Sequence, residues 1–174
     1  MRSRRQSGIQ SVHRVLACCI GSAMLAVGAT GATPPALTVF QLANLCASST
    51  VAEAAAKGDR LGWQPASDAR LKAWRDAFLA YNGGPVHVLG WQRGEEDEEF
   101  LAFWIARGPN GHRACAYTVA NPAGVLEALS EYFGSPGSFE RYDFGAAAFW
   151  RSGRAEISFT QVGSQAAVNI VRED

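Results

Sequence analysis

Residues 100–107 are Phe-Leu-Ala-Phe-Trp-Ile-Ala-Arg, residues 108–111 are Gly-Pro-Asn-Gly, and residues 112–119 are His-Arg-Ala-Cys-Ala-Tyr-Thr-Val. β-branched and aromatic residues are common in the two outer runs, and the glycine, proline and asparagine between them favour a turn. The stretch therefore predicts a β-hairpin. The first run is apolar on both faces, which predicts a strand in the middle of a sheet with helices on at least one side.

The length of the hairpin loop decides which side chains share a face with Cys115. A loop of two or four residues puts Phe100 and the other even-numbered residues of the first strand on that face. A three-residue loop with a bulge puts Leu101 and the other odd-numbered residues there instead. The sequence leaves both registers open.

Apolar spacing predicts four helices. The first begins near Leu37 and places Cys46 near its end, and the second follows the capping-box pattern of residues 50–53. The third covers residues 68–81 with one apolar face. The fourth begins at residues 121–122, where asparagine as a capping residue precedes a proline in the first turn.

Strand patterns occur at six places in the remaining sequence. They are residues 86–91, 100–107, 112–120, 139–150 with a bend near Gly145, 155–162 and 167–171. The order is helices, three strands, one helix and three strands. This order predicts an α+β domain over residues 37–174, with an antiparallel sheet of about six strands in two three-stranded meanders separated by a helix.

The first 32 residues are arranged like a secretory signal peptide. The first 14 residues contain four arginines and no acidic residue, and an apolar run follows at residues 15–29. Small residues after this run allow cleavage near Ala29 or Ala32. Residues 33–36 then form a linker. The apolar run is short for a membrane span, so we expect no transmembrane anchor in the mature form, with an uncleaved anchor as the alternative.

Export predicts a periplasmic or secreted protein of a bacterial envelope. Removing residues 1–32 leaves twelve basic and sixteen acidic residues and thus a net charge of −4. A mildly acidic domain without a basic stripe argues against nucleic acid as a partner, because neutralisation of phosphates drives that binding.

Cleavage also leaves only two of the four cysteines, Cys46 and Cys115, which lie 69 positions apart. In an oxidising compartment such a pair predicts a disulfide, with two free buried thiols as the alternative. Closing a loop of this length contributes about 4 kcal/mol to stability in the chain-entropy model. The spacing is not that of a redox-active Cys-x-x-Cys motif.

Candidate binding residues are Trp91, Trp150 and its neighbour Arg151, since tryptophan beside polar groups is common at recognition surfaces. We expect a non-enzymatic binding or accessory module for an envelope protein, peptide or glycan. The alternative is a small hydrolase-like enzyme that uses His87 or His112. No catalytic residue, metal site or cofactor is predicted, because phosphate-loop, dinucleotide, zinc and nucleophile-elbow motifs are absent from the sequence.

The acidic run at residues 95–99 is the most conspicuous polar feature. Its position between two strands predicts a solvated turn. A weak calcium site or a docking patch for a basic partner is the functional alternative, but the run lacks the alternation of ligands and glycine that is typical of calcium loops.

Several features together resemble a group of small exported bacterial proteins. They are the helix that carries Cys46, Ser-Ser-Thr at 48–50 before an alanine-rich helix, Gly62-Trp63, and Cys-Ala-Tyr-Thr-Val at 115–119 before a proline-initiated helix. The resemblance covers most of the predicted mature chain. It implies a paired cysteine and an exported location, and it implies no activity.

Export and the disulfide predict a specific mass for the chain recovered from the envelope of the producing cell. We expect intact-mass measurement to show loss of the first 29–32 residues, with Cys46 and Cys115 alkylated only after reduction. A full-length chain whose cysteines are alkylated without reduction would contradict both expectations.

Overall fold

Four helices and eight strands form the part of the chain that the computed structural model describes, residues 37–95 and 98–172. The predicted signal peptide and linker lie outside the described residues. All described residues belong to one compact unit, Thr33–Asp174.

In chain order the elements are α1 (Val39–Cys46), α2 (Val51–Asp59), β1 (Gln64–Pro65), α3 (Asp68–Asn82), β2 (Val86–Arg93), β3 (Glu99–Ala106), β4 (Arg113–Ala120), α4 (Val125–Phe133), β5 (Ser138–Tyr142), β6 (Gly145–Ser152), β7 (Ala155–Val162) and β8 (Gln165–Arg172).

The strands form one antiparallel sheet in the order β1-β2-β3-β4-β8-β7-β6-β5. The prediction of an α+β fold is confirmed, but the expected number of about six strands is wrong. A tight turn at Asp143 and Phe144 pairs Tyr142 with Gly145 and so divides the expected 139–150 strand into β5 and β6. In addition, Gln64–Pro65, which is not among the predicted strands, pairs with β2 as a two-residue edge strand.

The helix starts follow the predicted caps in α2 but not in α4. The Thr50 hydroxyl accepts a hydrogen bond from the Glu53 N–H at 3.1 Å, and the Glu53 carboxylate accepts from the Ser49 N–H at 2.8 Å. The predicted start of α4 at residues 121–122 is wrong. Its cap is Gly124, which makes no side-chain cap hydrogen bond and has a φ of 79°. The Val125 N–H bonds to the carbonyl of Pro122, so the proline opens a turn that precedes the helix.

The hairpin of β3 and β4 adopts the second of the two registers that the sequence left open. Leu101 lies opposite Tyr117 and Phe103 opposite Cys115, so the odd-numbered residues of β3 share the face of Cys115. Ala106 and His112 exchange backbone hydrogen bonds of 2.9 and 3.1 Å. The loop between them, residues 107–111, therefore contains an odd number of residues. Because side chains alternate between faces, the parity of this loop sets the face of every residue in β3.

The sheet face that carries Cys115, which we call the inner face, forms the main core beneath α1, α2 and α4. The sulfurs of Cys46 and Cys115 lie at disulfide distance, with their Cα atoms 5.5 Å apart, as predicted for this pair. The bond joins the end of α1 to the middle of β4. Both cysteines are fully buried, so the link lies within the core.

The opposite face, which we call the outer face, has a second core beneath α3 alone. The sequence predicts an apolar stripe of Leu71, Trp74, Phe78 and Tyr81 on α3. The first three pack in this core, whereas Tyr81 is 70% exposed, so the prediction is wrong for Tyr81. The Trp74 ring lies 5.5 Å from that of Trp104, and the Phe78 ring lies 5.0 Å from it. Strand β3 is therefore covered on both sides, which confirms its predicted place inside the sheet.

The described helices are all too short or too polar to cross a membrane. The longest of them, α3, has 15 residues and packs against the sheet.

Helix α2 approaches β2 so closely that a side chain at Gly58 would overlap the Trp91 ring. We expect Gly58→Ala to lower the free energy of unfolding by about 1–3 kcal/mol, because overpacking outweighs the better helix propensity of alanine. Urea denaturation measures this difference.

A matched control is Ala56→Gly, at an exposed position of the same helix. Helix propensity alone should lower stability there by about 1 kcal/mol. Stabilisation by Gly58→Ala would show that α2 does not pack against Trp91 in this way.

Candidate binding surface

Trp91 and Trp150 lie in the core, where only 3% and 2% of their surfaces are exposed. Core packing thus explains both rings, which the sequence presents as candidate binding residues. The Trp91 Nε1–H donates to Asp59 Oδ1 at 3.1 Å, and that of Trp150 donates to the carbonyl of Gly134 at 2.8 Å. Both inner-face rings are thus buried with their polar atoms satisfied, so neither offers a recognition surface.

Arg151 is exposed and forms an ion pair with Glu156 on the neighbouring strand. The structure therefore does not bring Arg151 together with the two tryptophans as one site, because its side chain points to the outer face whereas theirs point to the inner face.

The two histidines of the domain lie apart and in different settings. His87 is exposed near the end of β2. His112 is held at both ring nitrogens: Nε2 accepts from the Trp104 indole N–H at 3.0 Å, and Nδ1 lies 3.0 Å from the carbonyl of Asn110. An imidazole with these partners has Nδ1 protonated and Nε2 free of a proton. In residues 37–95 and 98–172, no serine or carboxylate side chain hydrogen-bonds either histidine.

A buried polar cluster, which the sequence did not predict, lies at one end of the inner face. The Glu99 carboxylate accepts a hydrogen bond from the Tyr117 hydroxyl at 2.7 Å and forms an ion pair with Arg93. The Trp63 ring covers the cluster, with its centroid 6.2 Å from that of Tyr117. Glu99 is only 7% exposed, so the predicted solvated turn at residues 95–99 is wrong for this residue, whereas Glu95 and Glu98 are exposed.

The charges and hydrogen bonds of this cluster hold Tyr117 neutral and Glu99 paired, so they stabilise the fold rather than activate a side chain for reaction. Burial and the hydrogen bond to Glu99 raise the pKa of Tyr117 far above its ordinary value, so the phenol stays neutral. The Glu99 carboxylate has a cation on one oxygen and a hydroxyl donor on the other. A buried charge with both partners present is satisfied, and losing one partner would leave it uncompensated.

The outer face is covered over β2, β3 and β4, but none of the described helices packs over β6, β7 and the middle of β8. We call this area the open face and define it by the outer-face side chains of these three strands: Ala147, Phe149, Ser158, Thr160, Ala167 and Asn169. Five of the six are half-buried and Thr160 is exposed. All but Phe149 are small or neutral polar residues, so the surface is flat and uncharged.

Two depressions lie on the outer side of the sheet, one at the open face and one at α3. One, of about 350 Å³, lies at the end of the open face around Thr160, Val162 and Gln165. The other, of about 430 Å³, runs along α3 beside Ala73, Ala77 and Tyr81.

The side of α3 that carries Ala73 and Ala77 faces the open area. Leu71 lies against Gly90 of β2, whereas the Arg70 guanidinium lies 3.9 Å above the centre of the Phe100 ring in β3. Residues 70, 73 and 77 share one side of a helix. That side therefore points away from β2 and towards β4 and β8, so α3 forms an apolar wall beside the open face.

Within the described residues, no group of three or more histidine, cysteine or acidic side chains is arranged to hold a metal ion. Sequence reasoning missed the open face because its residues are not conspicuous singly. The signal was the alternation of Glu156, Ser158 and Thr160 with Ile157 and Phe159 in β7, which indicates one wet face without locating it.

The cluster around Glu99 predicts a loss of stability in base. The pKa of Tyr117 is higher in the folded protein than the ordinary tyrosine pKa of 10.0, which applies to the unfolded chain. The stability that this difference contributes is fully present below pH 10.0 and is lost as the pH rises above it. We expect the free energy of unfolding to fall between pH 9 and about pH 11, and to fall less in Tyr117→Phe. At neutral pH the same variant should lose about 1–3 kcal/mol, because Glu99 loses a donor.

Urea denaturation at neutral pH, pH 9 and about pH 11 measures the loss of stability at neutral pH and the loss in base. The control is Tyr142→Phe, which removes the bond from another tyrosine to Glu140 at an exposed position. An equal base sensitivity in Tyr117→Phe and the parent would contradict the buried hydrogen bond.

Comparison of the chain with models of protein families, with curated proteins and with solved structures finds no match.

Proposed function

We propose that this chain is an exported, non-enzymatic binding or accessory module of the cell envelope, and that its partner packs on the open face. The single observation that carries the proposal is the uneven cover of the outer face. Helix α3 lies over one half of this face, and none of the described elements lies over the other half.

The chemistry of the open face favours a protein partner over a peptide or glycan. Small side chains such as Ala147, Ser158 and Ala167 let another backbone approach closely, and the central part of the surface has no charge to desolvate. Depletion of charge is typical of the core of protein interfaces. The nearest ion pair, Arg151–Glu156, lies at the end of the strands, where a polar rim is expected.

The shape of the open face fits a packed element of secondary structure. Strands in a sheet are about 4.8 Å apart, so the three strands of the open face, β6, β7 and β8, form a strip roughly 10–15 Å wide. A helix with its side chains is about 10 Å across. The strip therefore has room for one helix beside α3, with the wall at Ala73 and Ala77 on its flank.

The disulfide supports the exported location. Bonds of this kind persist in oxidising compartments and are rare in the cytosol. The alternative of a hydrolase has less support from geometry, because the His112 ring nitrogens are engaged by Trp104 and Asn110 rather than by a nucleophile.

Site-specific photo-crosslinking in the producing cell tests the proposal. A benzophenone side chain placed at Thr160 is expected to give a discrete adduct of protein mass in the envelope fraction. The same group at Ala52, an exposed position of α2 on the other side of the sheet, is the matched control and should give none.

A second variant tests whether the adduct needs the open face itself. Ser158→Arg puts a long charged side chain in the middle of this surface, and we expect it to reduce the Thr160 adduct at least tenfold. Unchanged thermal unfolding would show that the variant still folds. Adducts of equal yield from Thr160 and Ala52, or none from Thr160, would contradict the proposal.

A further inference from the structure

The two edges of the sheet differ in how well they are protected. At one edge, β1 has only two residues and one of them is Pro65, which lacks the N–H that a further strand would need. At the other edge, β5 is a regular strand of five residues without proline or lysine. Exposed edges carry unpaired backbone donors and acceptors, and natural proteins normally blunt them.

The sheet edge at β5 also carries several exposed aromatic residues. All five β5 residues are exposed, with Phe139 at 45% and Tyr142 at 47%, and the adjoining turn residue Phe144 is 70% exposed. The Arg141 guanidinium lies 5.7 Å from the centre of the Phe139 ring, so one of the two charged residues of β5 lies beside an aromatic side chain.

We infer that β5 is a self-association edge, at which a second copy of this chain adds its own β5 in antiparallel orientation. The two sheets then become one sheet of sixteen strands around a two-fold axis perpendicular to it. Such an interface is isologous, which means that the same residues contribute from both copies. The inference concerns the sheet edge and does not depend on the function proposed for the open face.

Like charges exclude two of the registers for this pairing. The two-fold axis keeps each face of the sheet on the same side, so only residues on the same face can lie opposite each other. Centring the pair on Glu140 puts two carboxylates directly opposite, and centring it on Arg141 does the same with two guanidinium groups. Like charges in these positions are destabilising.

The register centred on Phe139 avoids both conflicts and makes favourable contacts. It places the two Phe139 rings opposite each other and Ser138 opposite Glu140 of the second copy, where the hydroxyl can donate to the carboxylate. Arg141 then lies opposite Gly137 of the second copy. Because this glycine has no side chain, the guanidinium can reach the Phe139 ring diagonally across the pair.

The size of this edge sets the strength of the association. Pairing from Gly137 to Arg141 is short, and it falls below the roughly 1,000 Å² that stable interfaces bury. The dimer is therefore weak and forms at high local concentration, with a Kd between about 10 μM and 1 mM.

Sedimentation velocity on the chain purified after export tests the inference. We expect monomer at about 1 μM and a growing dimer fraction up to about 1 mM. Phe139→Lys should raise the Kd at least about tenfold, because it replaces the central ring pair by two opposed cations. Hydrogen exchange at the β5 amides should slow as the wild-type concentration rises.

Thr160→Arg is the matched control, because it changes the open face and leaves the edge intact. It should dimerise like the wild type. Three results would overturn the inference: a wild type that stays monomeric at about 1 mM, a dimer that Phe139→Lys leaves unchanged, or a dimer that Thr160→Arg dissociates. The last result would place self-association on the open face, and unchanged thermal unfolding excludes misfolding as its cause.

Discussion

The covalent bond between Cys46 and Cys115 is the constraint on which the rest of this fold depends. Cys115 lies near the centre of the sheet, between Phe103 on β3 and Ile170 on β8. β4 therefore joins the strands before α4 to those after it. By tying α1 to this strand, the disulfide fixes the helical layer on the strand that both halves of the sheet share.

The two faces of the sheet differ in cover because three of the four described helices share one of them. α1, α2 and α4 lie on the inner face, where Leu45, Cys46 and Leu129 are almost fully buried. That leaves α3 as the one described helix for the outer face. A 15-residue helix spans only part of an eight-stranded sheet, and its aromatic side chains reach β3 and the end of β4. The open face follows from this shortage of helices.

Sequence periodicity predicted the elements well where a single element buries its own side chains. The stripe of Leu71, Trp74 and Phe78 located α3, and the alternation in β7 located a strand with one wet face. Periodicity could not set the β3 register, because both faces of that strand are apolar and slipping by one residue keeps a buried side chain at every position. The register depends on loop geometry, which Gly108 and Gly111 leave open.

The failures at Trp91, Trp150 and Glu99 have a common physical origin. Tryptophan is read as a recognition residue and glutamate as a solvated one, because each is amphipathic or charged when considered alone. In the fold, each polar atom meets a partner from a distant part of the chain. The Trp91 indole donates to Asp59, and the Glu99 carboxylate accepts from the hydroxyl of Tyr117 on the neighbouring strand. Single-residue chemistry cannot reveal such pairs, because they depend on which face each strand turns inward.

The site residues that matter for binding therefore emerge from topology rather than from composition. Alanine, serine and threonine in β6, β7 and β8 are ordinary strand residues until the strand order shows that no described helix covers them. Likewise, Phe139 and Tyr142 belong to a predicted long strand until the turn at Asp143 turns their segment into an unprotected edge. The first surface suits a packed element of another protein, and the second offers backbone hydrogen bonds to another strand. Because the two surfaces use different chemistry and lie on different parts of the sheet, the proposed dimer and the proposed partner would use different residues.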